Sequence, residues 1–233
     1  MSQSLPNDHQ LRHDAQVRNF INHELEVRFA PEDDALRASI ARAQAEGLPA
    51  IQISPVQGKL LQVLALTCGA RNILEIGVLA GYSGTWLARS LPPDGKLISL
   101  EINPKNAAVA RATFADAGLS DRTDVRVGPA LDLLPALAPD APFDLIFIDA
   151  DKGNSTHYLD WAIKLSRVGS LIVADNAIRN GGVFQTLPPD ESAKGMAAYN
   201  RKILEHPRLV SVAIANDDDG MDGFAISVVQ APA

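Results

Sequence analysis

Leu74-Glu75-Ile76-Gly77-Val78-Leu79-Ala80-Gly81-Tyr82-Ser83 decides the fold. It begins inside a short apolar run, Asn72–Ile76, and ends where a helical pattern, Ser83–Leu91, begins. Between them two glycines let the backbone turn tightly or pass close to a ligand, and free amides at the helix start favour an anionic group. A strand, a glycine turn and a helix in that order form the place where an open α/β sheet binds its ligand. The spacing Gly-x-x-x-Gly is neither the dinucleotide fingerprint nor a phosphate loop ending in Lys-Ser/Thr. Taken alone, a purely structural turn explains it equally well.

Downstream, the same alternation repeats. Apolar runs at Lys96–Leu100, Asp124–Val127, Phe143–Ile148 and Ser170–Ala174 are separated by helical stretches at Pro104–Ala117, Ala130–Ala138 and Asn154–Ser166. This pattern predicts right-handed βαβ units and a parallel sheet with helices on both faces. Interiors such as LIFI and LIV are apolar without alternation, as strands covered on both faces should be. After a helix around Ser192–Glu205, the runs Leu209–Ala215 and Phe224–Val229 flank NDDDGMDG, which predicts a hairpin and a reversed last strand. Asp217, Asp218, Asp219 and Asp222 lack the ligand spacing and closing glutamate of a calcium loop, so they read as a solvated turn.

Upstream, Leu11 to about Gly47 is helical in period, divided at Pro31, where a new helix can begin. Ser54-Pro55-Val56-Gln57 supplies an N-cap, a proline at N1 and a capping-box glutamine for a third helix. The chain therefore reads as a single domain over 1–233, with a helical extension over 1–50.

Composition narrows the partners. A net charge of −7 disfavours a broad phosphate-binding face, so no nucleic acid is expected. Cys68 is the single cysteine, which excludes an internal disulfide framework; its apolar surroundings suggest a small core residue. The polar first residues do not resemble a signal peptide, and no segment approaches the roughly 18 apolar residues of a membrane span. A cytoplasmic location is the expectation.

Three acidic clusters stand at the ends of predicted strands. Glu101, after the strand that follows the glycine turn, can accept hydrogen bonds from both hydroxyls of a ribose, or simply cap the next helix. Asp149 follows Ile148, and Asp175-Asn176 follows Ala174. These three supply hard oxygen ligands that favour Mg²⁺, Ca²⁺ or Mn²⁺ over zinc. Lys152 is placed to take a proton from an acceptor hydroxyl, or else to neutralise Asp149 or Asp151. His157, Trp86 and Trp161 read as helix-surface or packing residues, and Tyr158 as either a packing residue or a cover over the site.

The segments ILEIGVLAGYSG, LISLEIN, GPAL, FDLIFIDADKGN and IVADNAIRNGGV, in this order, resemble the cation-dependent O-methyltransferases of the caffeoyl-CoA and catechol type. The resemblance spans roughly Ile53 to Gly182. It implies a Rossmann-like, seven-stranded sheet of the S-adenosylmethionine-dependent class, mostly parallel with an antiparallel last strand. It further implies that Glu75 contacts the methionine end of S-adenosylmethionine, with Gly77, Val78 and Ser83 lining its loop. Glu101 would hold the ribose and Ala130 lie near the adenine, while Asp149 and Asp151 also approach the cofactor. Asp149, Asp175 and Asn176 match the metal ligands, Lys152 the proposed base, and Asn180 a substrate contact. Ile53 replaces a polar residue at a cofactor contact. The acceptor would be a small hydroxylated aromatic and the assembly a homodimer. A tRNA or other macromolecular methyltransferase, and a nucleoside-binding regulator without catalysis, are the alternatives.

Overall fold

The computed structural model describes residues 8–217 and 219–232, with side chains from residue 15 onward; the reading of the first residues and of Asp218 lies outside that range. Helices α1 (Asp8–Phe29), α2 (Asp34–Ala45) and α3 (Pro55–Thr67) precede the sheet. The sheet then alternates: β1 (Asn72–Ile76), α4 (Tyr82–Ala88), β2 (Lys96–Glu101), α5 (Pro104–Asp116), β3 (Thr123–Val127), α6 (Ala130–Leu133) and β4 (Phe143–Ile148). Next come α7 (Ser155–Leu165), β5 (Ser166–Ala174), α8 (Glu191–Glu205), β6 (Leu209–Ala215) and β7 (Gly223–Val229).

The seven strands lie in the order β3-β2-β1-β4-β5-β7-β6. Strands β1 to β5 are parallel, and β7 runs antiparallel to both β5 and β6. This is the doubly wound sheet with a reversed last strand that the alternation predicts. The order reverses between β1 and β4, which opens a crevice beyond their carboxyl ends.

Both sheet faces are buried, and β4 records the division. Leu145 and Phe147 enter a core layer with Leu61, Trp86 and Phe114, whereas Ile146 and Ile148 enter the opposite layer with Leu159 and Tyr199. Phe147 meets Phe224 of β7 edge-on, with centroids 5.7 Å apart, so the hairpin is packed as well as hydrogen-bonded onto the sheet. Near the opposite end, Asp144 accepts the amides of Arg71 and Asn72 and pairs with Arg167, tying the starts of β1 and β5 to β4.

Four local readings change. Helix α2 begins not at Pro31 but after Asp33, whose side chain accepts the Leu36 amide. The stretch predicted as one helix over 130–138 divides into α6 and a 3₁₀ segment, Leu134–Asp140, because Pro135 and Pro139 cannot donate to a regular α ladder. Strand β5 starts at Ser166 rather than Ser170, with the Ser170 hydroxyl bonded to the Phe143 carbonyl. Cys68 is half-buried rather than enclosed, its thiol near the carbonyls of Ala65 and Asp144.

Candidate active site

At the switch point, Gly77 has φ 94° and its amide bonds the Leu100 carbonyl. A Cβ there would sit 2.1 Å from the carbonyl oxygen of Asp149, so only glycine lets the β1 turn pass the end of β4. Gly81, at φ 85°, then starts α4. The Asp149 amide bonds Ile76 and the Asp175 amide bonds Ile148, so the strand ladder itself delivers both carboxylates to one rim.

A cavity of about 820 Å³ fills this crevice, within the range of small-molecule sites. Gly77, Val78, Ser83, Glu101 and Ala130 line it together with Asp149, Asp151, Lys152, Asp175 and Asn176. Ser39 and Ile40 of α2, and Ile53 from the segment between α2 and α3, line it as well. Two residues expected at the site do not line this cavity. Glu75 is fully buried behind Ser83, and Asn180 lines a separate, smaller cavity.

Glu75 accepts the hydroxyls of Ser83 and Ser99, each at 2.6 Å. Burial pushes its carboxyl up to about 7, against those two hydroxyl donors. Glu101 accepts the backbone amides of Leu79 and Asn103 at 3.0 and 2.9 Å, which fixes the carboxylate yet leaves lone pairs for further donors. Lys152 Nζ lies 2.9 Å from Asp149 Oδ1, and the lysine side chain is itself largely buried. Burial raises Asp175 to about 7, with the nearby Asp149 charge adding to the effect.

Tyr158 both packs and faces the cleft: it is buried, lines the cavity, and donates its hydroxyl to Asp151. Tyr82 instead donates to Glu32 at 2.7 Å, joining the glycine turn to the segment between α1 and α2. His157 is exposed on α7 and takes no part in the site.

Asp222 is the residue that sequence reasoning missed. Its Oδ1 accepts the amides of Ile178, Arg179 and Gly223, and its Oδ2 accepts Asn176 Nδ2 at 3.0 Å. It is the clamp of the β5 loop rather than one acid of a solvated turn. Within that loop Asn176, Arg179 and Asn180 hold positive φ values of 62°, 47° and 53°, a conformation that needs such outside support. The Asp-Gly hairpin was legible, but nothing in its spacing marks one aspartate as facing inward.

Among the described residues no group of three or more His, Cys, Asp or Glu side chains is arranged to hold a metal. The oxygen set at the rim is two carboxylates and one amide. Because Asp222 holds Asn176 Nδ2, the amide oxygen is the end left for a cation, so the donor chemistry fits one.

The sheet order, the reversed β7 and a cleft at the β1/β4 switch define a methyltransferase of the class I fold. A Bacillus cereus O-methyltransferase, solved with S-adenosylhomocysteine, superposes with a TM-score of 0.88 at 40% identity, over 93% of this chain and 100% of that one. The O-methyltransferase family model matches residues 30–223, and the chain belongs to that family. The chain is 48% identical to a catechol O-methyltransferase of Niastella koreensis over 92% of its own length and 99% of that protein's. It is 47% identical to one of Mycobacterium tuberculosis, over 88% and 93%. The protein is thus an O-methyltransferase, which sets aside a regulator without catalysis.

Proposed function

We propose that the protein transfers the methyl group of S-adenosylmethionine to a hydroxyl oxygen of a small catechol-like or phenylpropanoid-like molecule, using a divalent cation. The observation that carries this reading is the convergence of a glycine turn and a hard-oxygen rim on one cleft. The S-adenosylhomocysteine in the Bacillus relative and the names of the catechol O-methyltransferases support the cofactor and the acceptor class.

In this reading Glu101 accepts the ribose hydroxyls with the lone pairs its two backbone amides leave over. Ala130 lies against the adenine, and Ile53 contributes an apolar wall without a side-chain bond. Gly77, Val78 and Ser83 face the methionine end, along with Asp149 and Asp151. Glu75 acts there through Ser83, whose hydroxyl it fixes. Asp149, Asp175 and Asn176 would hold the cation, for which Mg²⁺ is the first choice and Mn²⁺ or Ca²⁺ the alternatives.

When bound, the sulfonium supplies an electrophilic methyl group and the cation lowers the pKa of the acceptor hydroxyl. The chain's own work is positioning. The β1 turn and the β4–β5 rim hold the two reactants face to face, and effective molarities from such orientation reach about 10⁵ to 10⁸ M. Lys152 Nζ lies beside the rim oxygens, and in its neutral amine form it would take the hydroxyl proton. The α2 residues over the cavity exclude water.

Methyl transfer from labelled S-adenosylmethionine to catechols, with EDTA or added Mg²⁺, tests the reading. Asp175→Ala should lower transfer by about 10³-fold, the rate equivalent of several kcal/mol, while calorimetry still detects cofactor binding. Undiminished transfer under stringent chelation refutes the cation.

A further inference from the structure

Helix α8 carries a glycine, Gly195, where a helix interior favours alanine. No left-handed backbone requires it there; space does. A Cβ at Gly195 would stand 2.1 Å from the carbonyl oxygen of Lys152 and 2.7 Å from its carbon. The helix backbone therefore rests on the backbone of the 3₁₀ turn Lys152–Asn154, whose lysine reaches to 2.9 Å from Asp149 Oδ1. One residue on, Met196 Sδ accepts the Ser155 hydroxyl at 3.3 Å. Further along the helix, Asn200 Nδ2 donates to the Ala177 carbonyl at 2.7 Å, two residues past Asp175. Helix α8 thus holds both loops of the rim, the Lys152 turn by close packing and the loop after β5 by a hydrogen bond. Met196, Tyr199 and Ile203 bury it in the core layer of Ile146 and Ile148, so crowding at one end is not relieved without disturbing the other.

We propose that Gly195 is a positioning residue for Lys152: its missing side chain lets α8 set how far the lysine nitrogen stands from the oxygens of Asp149 and Asp175. The proposal rests on the proton role given to Lys152 above and names the element that holds the lysine there. An alanine at this position must open the contact by about 1 Å to reach ordinary van der Waals separation. If the turn yields, Lys152 moves relative to Asp149. If the helix yields, the bond from Asn200 to Ala177 displaces the Asp175 side. Either movement changes the same separation, and the lysine side chain is too buried for its rotamers to absorb the shift freely. A misplacement of that size costs about 10²-fold in rate. The glycine turn after β1 lies on a different element, so cofactor affinity should survive.

The test measures kcat and KM for a catechol in wild type, Gly195→Ala, Lys152→Ala and the double variant, with calorimetry of S-adenosylhomocysteine binding to count folded sites. Gly195→Ala should lower kcat about 10²-fold, with KM nearly unchanged and full binding stoichiometry. Over Lys152→Ala it should add no further loss. Wild-type kcat in Gly195→Ala, or the same fractional loss over Lys152→Ala, would overturn the proposal. The crystal structure of Gly195→Ala reads the position without turnover: the 2.9 Å contact between Lys152 and Asp149 should open, and its retention overturns the proposal as well. If no catechol is methylated, or if Lys152→Ala keeps the wild-type rate, the acceptor or proton reading fails, and that distance alone decides the positioning. Should Gly195→Ala not fold, Asn200→Ala loosens the other end of α8. It should then lower kcat about tenfold, the rate equivalent of one hydrogen bond, and do so only while Lys152 is present; an undiminished rate refutes the positioning.

Discussion

Replacing Asp222 with asparagine alters one atom's chemistry and almost no volume. In the native protein Oδ1 accepts three backbone amides, from Ile178, Arg179 and Gly223, at 3.0, 3.0 and 2.8 Å. With Asp222→Asn, keeping an oxygen on those amides turns the new NH₂ group toward Asn176 Nδ2, donor against donor. Relief requires Asn176 to flip its amide, which presents NH₂ to the cleft where the proposed cation needs an oxygen. Losing a hydrogen bond to a charged group costs about 1.5–3 kcal/mol. That equals about 10- to 100-fold in cation affinity, which is also the usual effect of a residue behind a metal ligand. Titration of methyl transfer with Mg²⁺, alongside calorimetry of Mg²⁺ binding, measures it, and circular dichroism reports whether the fold survives. Adding Asn176→Asp to the same chain supplies oxygens on both sides and should recover much of the loss, a coupling the double-mutant cycle isolates. Wild-type Mg²⁺ affinity in Asp222→Asn would refute the reasoning.

Two further outcomes follow from the glycine turn and the acid behind it. Gly77→Ala adds left-handed strain of about 1–2 kcal/mol and forces the ends of β1 and β4 apart, so Tm should fall by several degrees and cofactor affinity with it; an unchanged Tm would show that the close approach is not needed. The Glu75 carboxyl is raised from 4.5 to about 7, so its contribution to stability is complete below about pH 4.5 and is lost as pH rises through 7. In the cofactor-free protein Asp-to-Asn changes elsewhere would not remove this slope, but Glu75→Gln should flatten it, with a relative gain of about 3 kcal/mol above pH 7. Parallel stability profiles for the two proteins between pH 5 and 8 would count against the buried carboxyl.

Much of the architecture was legible because it rests on local, strongly coded signals. The apolar runs of β1, β2 and β4, the capping box at Ser54 and Gln57, and the glycine turn all appear where the residues place them. Boundaries failed where tertiary contacts outweigh local pattern, as at Ser166, whose strand is extended by pairing with Phe143. In the cleft, residues at strand ends were legible because the parallel ladder fixes where they emerge. The burial of Glu75 was not legible, because its neighbours in sequence do not reveal that the Ser83 and Ser99 hydroxyls bond its carboxylate. Asp222 was invisible for a different reason, since three of its side-chain partners lie 43–46 positions away and an aspartate in an Asp-Gly hairpin is ordinarily explained by the turn alone.

That separation orders events during synthesis. The five parallel strands, the glycine turn and every proposed cation ligand leave the ribosome before the residue that shapes the β5 loop. A nascent chain that has emerged through α8 carries the reacting groups without the clamp on Asn176. If Asn176 holds the proposed cation, assembly of a competent catalyst is tied to docking of the reversed hairpin, which brings Asp222 to the Asn176 amide.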